Sequence, residues 1–242
     1  MKKRMAAGIA TAGFCLLMPV AQAYEAGGVT GGGKVAGKVT FRGAAPAPRE
    51  IAITKDNEVC GTGNRKVVEV DVKGGGLRNA VVYVAKIDKG KAWGNIEKPV
   101  IDQKGCVFTP DALIVKKAGN LIVRNSDPVL HNMHTYEMIG SVRRTIFNAA
   151  QPDKGDVPHE INAKRSNFVK IECDAHDFMH AWAFAADNPY AVATAADGSF
   201  ALDNLPAGTY EIKAWHPVLG EKSTSVTVSA GGSASAAFEF SK

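Results

Sequence analysis

The segment Cys173-Asp174-Ala175-His176-Asp177-Phe178-Met179 places a thiol, an imidazole and a thioether at Cys-x2-His-x2-Met spacing. Soft sulfur ligands combined with imidazole select copper over hard cations, and two histidines, one cysteine and a weak axial methionine suit a copper ion that changes oxidation state. Apolar and polar residues alternate over 167–172 before the segment, and the apolar stretch 181–186 follows it. We therefore predict a loop between two strands that carries three copper ligands.

A second histidine for this site is expected upstream, just after the strand-like apolar stretch 121–124. His131 is the candidate ligand there, and His134 is the alternative. Because alternate residues of a strand point to opposite faces, only one of these two imidazoles should face the site.

The run from Cys106 to His134, together with the Cys173 motif, resembles the cupredoxins, the blue copper proteins, over roughly residues 100–187. The resemblance implies a Greek-key β-sandwich with one type 1 copper ion near one pole, bound by His131, Cys173, His176 and, more weakly, Met179. It favours His131 over His134, because the His-Asn pair and the spacing from Asn125 match. By the same analogy, Asn125 joins the two ligand loops and the edge of His176 is the exit for electrons.

Two carboxylates flank the ligand loop, on Asp174 and Asp177. Asp174 is therefore expected to influence the metal from outside its ligand set. Negative charge beside the site should stabilise the higher oxidation state of copper and lower the reduction potential.

The amino terminus has the features of a secretory signal peptide. Met1-Lys2-Lys3-Arg4 is basic, the stretch to Val20 is apolar, and small residues precede a cut expected after Ala23. The apolar part is shorter than a membrane span requires, so we predict a periplasmic or secreted protein without a membrane span. Without the basic residues of that segment, the 29 basic and 24 acidic residues of the chain become nearly balanced, which gives no support to nucleic-acid binding.

The cysteine count supports the copper site. Cys15 leaves with the signal peptide, and Cys60, Cys106 and Cys173 remain. An odd number leaves one thiol unpaired, and a thiolate bound to copper is protected in an oxidising compartment. We predict a Cys60–Cys106 disulfide. The alternative, a disulfide that includes Cys173, stays open at this point.

The chain as a whole has the pattern of an all-β protein, with short alternating runs bounded by Gly, Pro, Asn and Asp. Before the copper region, strands are expected at 33–42, 66–72 and 80–87. The segment 188–242 resembles the carboxypeptidase regulatory-like β-sandwich in its Asp197-Gly198 turn and its Leu205-Pro206-Ala207-Gly208 turn. We divide the chain into a signal peptide (1–23), an amino-terminal β segment (24–97), a cupredoxin domain (98–187) and a carboxy-terminal β segment (188–242). Either the two outer segments form one sandwich with the cupredoxin domain inserted, or three units follow one another.

The expected function is the transfer of single electrons between redox partners, with a periplasmic cytochrome or dehydrogenase as the partner. No set of residues has the spacing that hydrolytic acid-base or serine chemistry needs, so we do not expect an enzyme. Two other functions stay open. One is a periplasmic copper carrier or storage protein, and the other is a structural or glycan-binding β-sandwich module.

Overall fold

A computed structural model describes residues 23–242. Residues 1–22, which are the predicted signal peptide without its last residue and include Cys15, lie outside the described part. Within that part the fold is all-β, as predicted, with one short α-helix, α1 (Asn57–Cys60), and one 3-10 turn, Gly94–Glu97. None of the helices described is long and apolar enough to cross a membrane.

The strands before residue 98 are β1 (Glu25–Ala26), β2 (Gly33–Arg42), β3 (Arg49–Ala52), β4 (Asn64–Val67), β5 (Val72–Lys73), β6 (Gly76–Leu77), β7 (Val81–Val84) and β8 (Lys89–Gly90). The middle strands are β9 (Val100–Gln103), β10 (Phe108–Thr109), β11 (Ala112–Lys116), β12 (Asn120–Asn125), β13 (His131–Ile139), β14 (Val142–Gln151), β15 (Gly155–Glu160), β16 (Phe168–Glu172) and β17 (His180–Ala186). The last strands are β18 (Ala191–Ala193), β19 (Ser199–Leu205), β20 (Gly208–His216), β21 (Gly220–Val228) and β22 (Ser233–Ser241). The strand expected at 66–72 is divided between β4 and β5.

Strands from both ends of the chain share two sheets. One sheet has the order β19-β2-β6-β5 with β22 also on β2, and the other has the order β18-β7-β20-β21. The long β2 pairs in parallel with β22, from Lys34 opposite Ser233 to Arg42 opposite Ser241. Alternate apolar residues of these strands, among them Val35, Val39 and Phe238, fill one buried core. The domain boundaries at 97 and 188 stay predictions, but the outer segments form one sandwich.

The middle strands form a second sandwich, which carries the predicted metal ligands. Its sheets have the orders β10-β9-β12-β15 and β11-β17-β16-β13-β14. His131 is the first residue of β13, Cys173 directly follows β16, and Met179 directly precedes β17. The inward residues of these strands, such as Leu121, Val169 and Ile171, form the core beside the site. The pole of this sandwich therefore brings the two ligand segments together.

The β3–β4 hairpin (Arg49–Val67) belongs to the second sandwich by its packing, although the sequence placed it in the amino-terminal segment. Its strands pair only with each other among the described strands. Ile51, Ile53 and Val59 pack against the core of the second sandwich, and Cys60 is part of that core. The hairpin thus covers the pole at which the ligands meet.

A third apolar cluster joins the two sandwiches. Trp215 and Val81 of the outer sandwich pack with Ile114, Phe184 and Ala186 of the inner one. The rings of Phe168 and Trp215 stack with centroids 4.4 Å apart. These contacts hold the second sandwich, which carries the predicted metal ligands, against the outer sandwich.

Candidate metal centre

The structure brings three of the predicted ligands together. One donor atom each from His131, Cys173 and His176 lies within 4.8 Å of the other two, and all three residues are buried. The Nδ1 atoms of the two histidines are 3.1 Å apart, and His176 Nδ1 lies 3.7 Å from Cys173 Sγ. Two nitrogens that bind one ion at about 2 Å each cannot be more than about 4 Å apart, and the pair meets this limit. A thiol and two imidazoles that converge in a buried site fit a copper ion.

Backbone hydrogen bonds fold the Cys173 segment into a compact loop. The His176 N–H donates to Cys173 O at 3.2 Å, and the Met179 N–H donates to His176 O at 3.0 Å. Met179 is buried in the same apolar core as Cys173. The loop thus presents the thiol and the imidazole to one point, while the role of Met179 as axial ligand stays a prediction.

Asn132, which the sequence did not single out, joins the two ligand segments. Its N–H lies 3.4 Å from Cys173 Sγ, toward which it donates. Its side-chain Oδ1 accepts from the backbone N–H groups of Asp174 and Ala175. Asn132 is the second residue of the His-Asn pair that pointed to His131 as a ligand. The sequence pattern therefore contained Asn132, but only the histidine was given a role.

Asn125 has a different role from the one that the resemblance implied. Within the described chain its hydrogen bonds stay on the His131 side of the site: Nδ2 donates to Val129 O and Gln151 O, and Oδ1 accepts from the Asp127 N–H. Asn125 therefore shapes the loop that leads into β13 and does not reach the Cys173 loop. The expected tie between the loops comes from Asn132 instead.

Each histidine of the site is held by a carboxylate at its outer nitrogen. His131 Nε2 lies 2.9 Å from Asp127 Oδ2, and His176 Nε2 lies 2.8 Å from Asp56 Oδ2. Asp127 is nearly buried and also accepts from the N–H groups of Gly105 and Cys106. When Nε2–H donates to the carboxylate, the Nδ1 lone pair faces the site. Carboxylates in this position orient a ligand histidine and raise its basicity.

Burial controls the protonation of the site. It lowers the pKa of His131, although the hydrogen bond that His131 donates to Asp127 acts in the opposite direction. Burial would raise the pKa of Asp127, but the N–H of Cys106 and the His131 ring outweigh it, and the pKa falls. Burial raises the pKa of the Cys173 thiol, although the hydrogen bond from the Asn132 N–H acts in the opposite direction. The free thiol is therefore protonated near neutral pH and would release its proton on binding a metal.

His134, the alternative ligand, lies on the other face of β13. Its Nδ1 lies 3.0 Å from Asp174 Oδ2, its Nε2 lies 3.1 Å from Thr145 Oγ1, and its ring stacks on Tyr136. His134 is thus outside the group of converging donors. Asp174 pairs with it, and hydrogen bonds from Asn148 and His134 outweigh burial and lower the pKa of Asp174.

The carboxylates that hold the two histidines, those of Asp127 and Asp56, are not the ones expected from the loop sequence. Asp174 directly follows Cys173, and its charge adds to burial in raising the pKa of that thiol. Its Oδ2 lies 3.3 Å from Asn132 Nδ2, and Asp177 is exposed. Asp127 lies four residues before His131, so its closeness in the chain could have indicated a contact with that histidine. Asp56 is 120 residues from His176 in the chain and offered no such indication.

The predicted exit for electrons is covered. His176 is 1% exposed, and its Nε2 is occupied by Asp56. The cover is the β3–β4 hairpin, which the Cys60–Cys106 disulfide joins to the second sandwich. The structure confirms this disulfide, and Cys173 is free and buried. The edge of His176 does not lie at the surface because a segment distant in sequence folds over it.

Comparisons with known proteins find likeness to two groups. The model of the family "Polysaccharide lyase family 4, domain II" matches residues 174–236, a minor part of the chain that begins within the ligand loop. No curated protein matches. A purple cupredoxin from Nitrosopumilus maritimus is 14% identical with a TM-score of 0.30, over 36% of this chain and 98% of that one.

Two further solved structures are similar to the same extent. Amicyanin from Paracoccus versutus is 12% identical with a TM-score of 0.31, over 43% of this chain and 97% of its own. Auracyanin A from Chloroflexus aurantiacus is 12% identical with a TM-score of 0.31, over 37% and 98%.

Proposed function

We propose that this protein binds one type 1 copper ion through His131, Cys173, His176 and Met179 and carries single electrons between periplasmic redox partners. The observation that supports the proposal is the convergence of a buried thiol and two imidazoles within 4.8 Å, each imidazole oriented by a carboxylate. The protein would have no substrate of its own. A periplasmic cytochrome or dehydrogenase would exchange electrons with it after the predicted removal of residues 1–23.

The copper ion would supply the change between two oxidation states, and the chain would keep the ligands in one geometry for both. Asp127 and Asp56 fix the rotation of the two imidazoles, and the Asn132 N–H points to the sulfur of Cys173. The apolar core around Cys173 and Met179 excludes water. A site that is held in this way reorganises little when its charge changes.

A copper carrier or storage protein is the second candidate function. The covered edge of His176 favours this function. A disulfide-linked hairpin that closes the site helps to retain a metal ion and keeps redox partners away from it. The same ligands would then hold Cu(I) while the hairpin is closed, and rapid release to an acceptor would require the hairpin to open.

Visible and paramagnetic resonance spectra of the copper-loaded protein test the proposal. An electron carrier should show an intense copper–thiolate band, and Cys173→Ser should abolish it because the band arises from that bond. Reversible voltammetry without loss of copper would support electron transfer. If the reduced protein loses Cu(I) to a chelator faster than it exchanges electrons, the carrier function replaces it.

A further inference from the structure

A second group of metal-binding atoms borders the centre described above. The two sulfurs of the Cys60–Cys106 disulfide and a ring nitrogen of His176 all lie within 4.8 Å of one another. An overlapping group consists of Cys106, Asp127 and His131. The disulfide thus lies against the same two imidazoles that face Cys173, and the proposed function makes no use of it.

Noncovalent contacts hold the two cysteines together independently of the disulfide bond. Arg65 Nη2 donates to Cys60 O at 2.9 Å and to Gly105 O at 3.1 Å, so one guanidinium bridges the two segments. The N–H groups of Gly105 and Cys106 donate to the Asp127 carboxylate. On the other side, the Cys60 N–H donates to Asp56 O at 2.8 Å. Breaking the sulfur–sulfur bond would therefore leave two thiols side by side.

The surroundings of these sulfurs are suited to a soft cation. Cys60 is 5% exposed and Cys106 is 1% exposed, and both belong to the apolar core that includes Phe108 and Phe178. The guanidinium of Arg65 lies over the ring of Phe178, which fixes this side of the hairpin. Two thiolates in an apolar site prefer Cu(I) to hard cations.

We propose that the Cys60–Cys106 disulfide is a latent copper site, which binds one Cu(I) ion when it is reduced. A dithiol reductant, such as a periplasmic protein dithiol, transfers two electrons and two protons to the disulfide and becomes a disulfide itself. The two thiols that form lose their protons when they bind Cu(I), and the two thiolates are its ligands. This inference goes beyond the proposed function, because it needs neither Cys173 nor a copper ion in the first centre.

Anaerobic titration with Cu(I) against the chromophoric chelator bicinchoninate tests the proposal. One portion of the protein is left oxidised, and a second is reduced with a phosphine that is then removed under nitrogen. The reduced protein should bind one more Cu(I) ion per chain than the oxidised protein. Equal copper binding by the two forms, with thiol titration showing that the disulfide was reduced, would overturn the proposal.

Variants separate this site from the first centre. Cys173→Ser should lose the ion of the first centre and still gain one ion on reduction. In the double variant Cys60→Ser/Cys106→Ser, the reductant should not change the number of Cu(I) ions that the protein binds. If Cys173→Ser gains no ion on reduction while the wild-type protein does, the additional ion depends on the first centre and the proposal is wrong.

The contacts of Arg65 provide a further test. Arg65→Met keeps a long apolar side chain but removes both hydrogen bonds, and it should weaken binding of the additional ion about tenfold while the first centre changes less. Far-ultraviolet circular dichroism, which reports the backbone fold, must be the same for the reduced and the oxidised wild-type protein. Unfolding on reduction would show that the contacts do not hold the thiols in place, and this outcome also overturns the proposal.

Discussion

Removing the negative charge from the carboxylates that hold the two histidines should weaken copper binding, and Asp127 should matter more than Asp56. Asparagine is the suitable replacement, because it keeps an acceptor and because Asp56 has a left-handed backbone (φ 50°) that asparagine tolerates. Hydrogen bonds to charged groups contribute about 1.5–3 kcal/mol, against about 0.5–1.5 kcal/mol for neutral pairs. The loss of about 1–1.5 kcal/mol corresponds to about a tenfold weaker affinity.

Exposure determines the order of the two effects. The side chain of Asp127 is 6% exposed and that of Asp56 is 42% exposed, so solvent screens the second interaction more strongly. We expect Asp127→Asn to weaken copper binding about tenfold or more. Asp56→Asn should weaken it by roughly threefold, because half-exposed charge pairs contribute less.

Competition with a chelator of known affinity measures the effect, and Asp177→Asn is the matched control. Asp177 is exposed and adjacent to His176, and the same charge is lost there without any hydrogen bond to a ligand within the described chain. The control should stay within roughly twofold of wild type. If Asp177→Asn weakens binding as much as Asp127→Asn, net charge is the cause and the proposed orientation of the imidazoles is wrong.

Three further predictions concern single side chains. Met179→Leu should keep the intense colour that depends on Cys173 and should only shift the spectrum and the reduction potential, since an axial thioether binds weakly; loss of colour on spectroscopy would contradict this. His131→Ala should abolish the site in a copper titration and His134→Ala should leave it intact, and the converse result would reverse the assignment. Burial lowers the pKa of His216 from 6.5 to about 4, so protonation favours the unfolded chain. Its contribution of about 3 kcal/mol should be complete above pH 6.5 and be lost as the pH falls toward 4, and His216→Asn should remove this part of the slope in urea unfolding.

Local sequence was sufficient to predict that Cys173, His176 and Met179 share one loop between two strands, because they lie within seven consecutive residues. Alternation along β13 correctly required His131 and His134 to point to opposite faces, and the structure places only His131 near Cys173. The odd cysteine count led to the correct disulfide. These features depend on short-range geometry or on counting, which a single sequence contains.

Long-range packing was beyond such reasoning. Periodicity located β2 correctly but could not identify its parallel partner β22, which lies at the other end of the chain. For the same reason the sequence placed the Arg49–Val67 hairpin with the amino-terminal segment, whereas Ile51 and Ile53 pack on the second sandwich. Asp56 reaches His176 only because of that packing, so no local pattern marks it.

The hairpin bears on both candidate functions at once. It covers the His176 edge through Asp56, and the disulfide and the hydrogen bonds of Arg65 keep it in place. A partner that accepts electrons must then approach through the hairpin or at another edge of the pole, whereas an acceptor of copper must displace the hairpin. Electron transfer requires no movement of this segment, and delivery of the metal does. The rate of copper loss should therefore depend on the integrity of the hairpin far more strongly than the rate of electron exchange does.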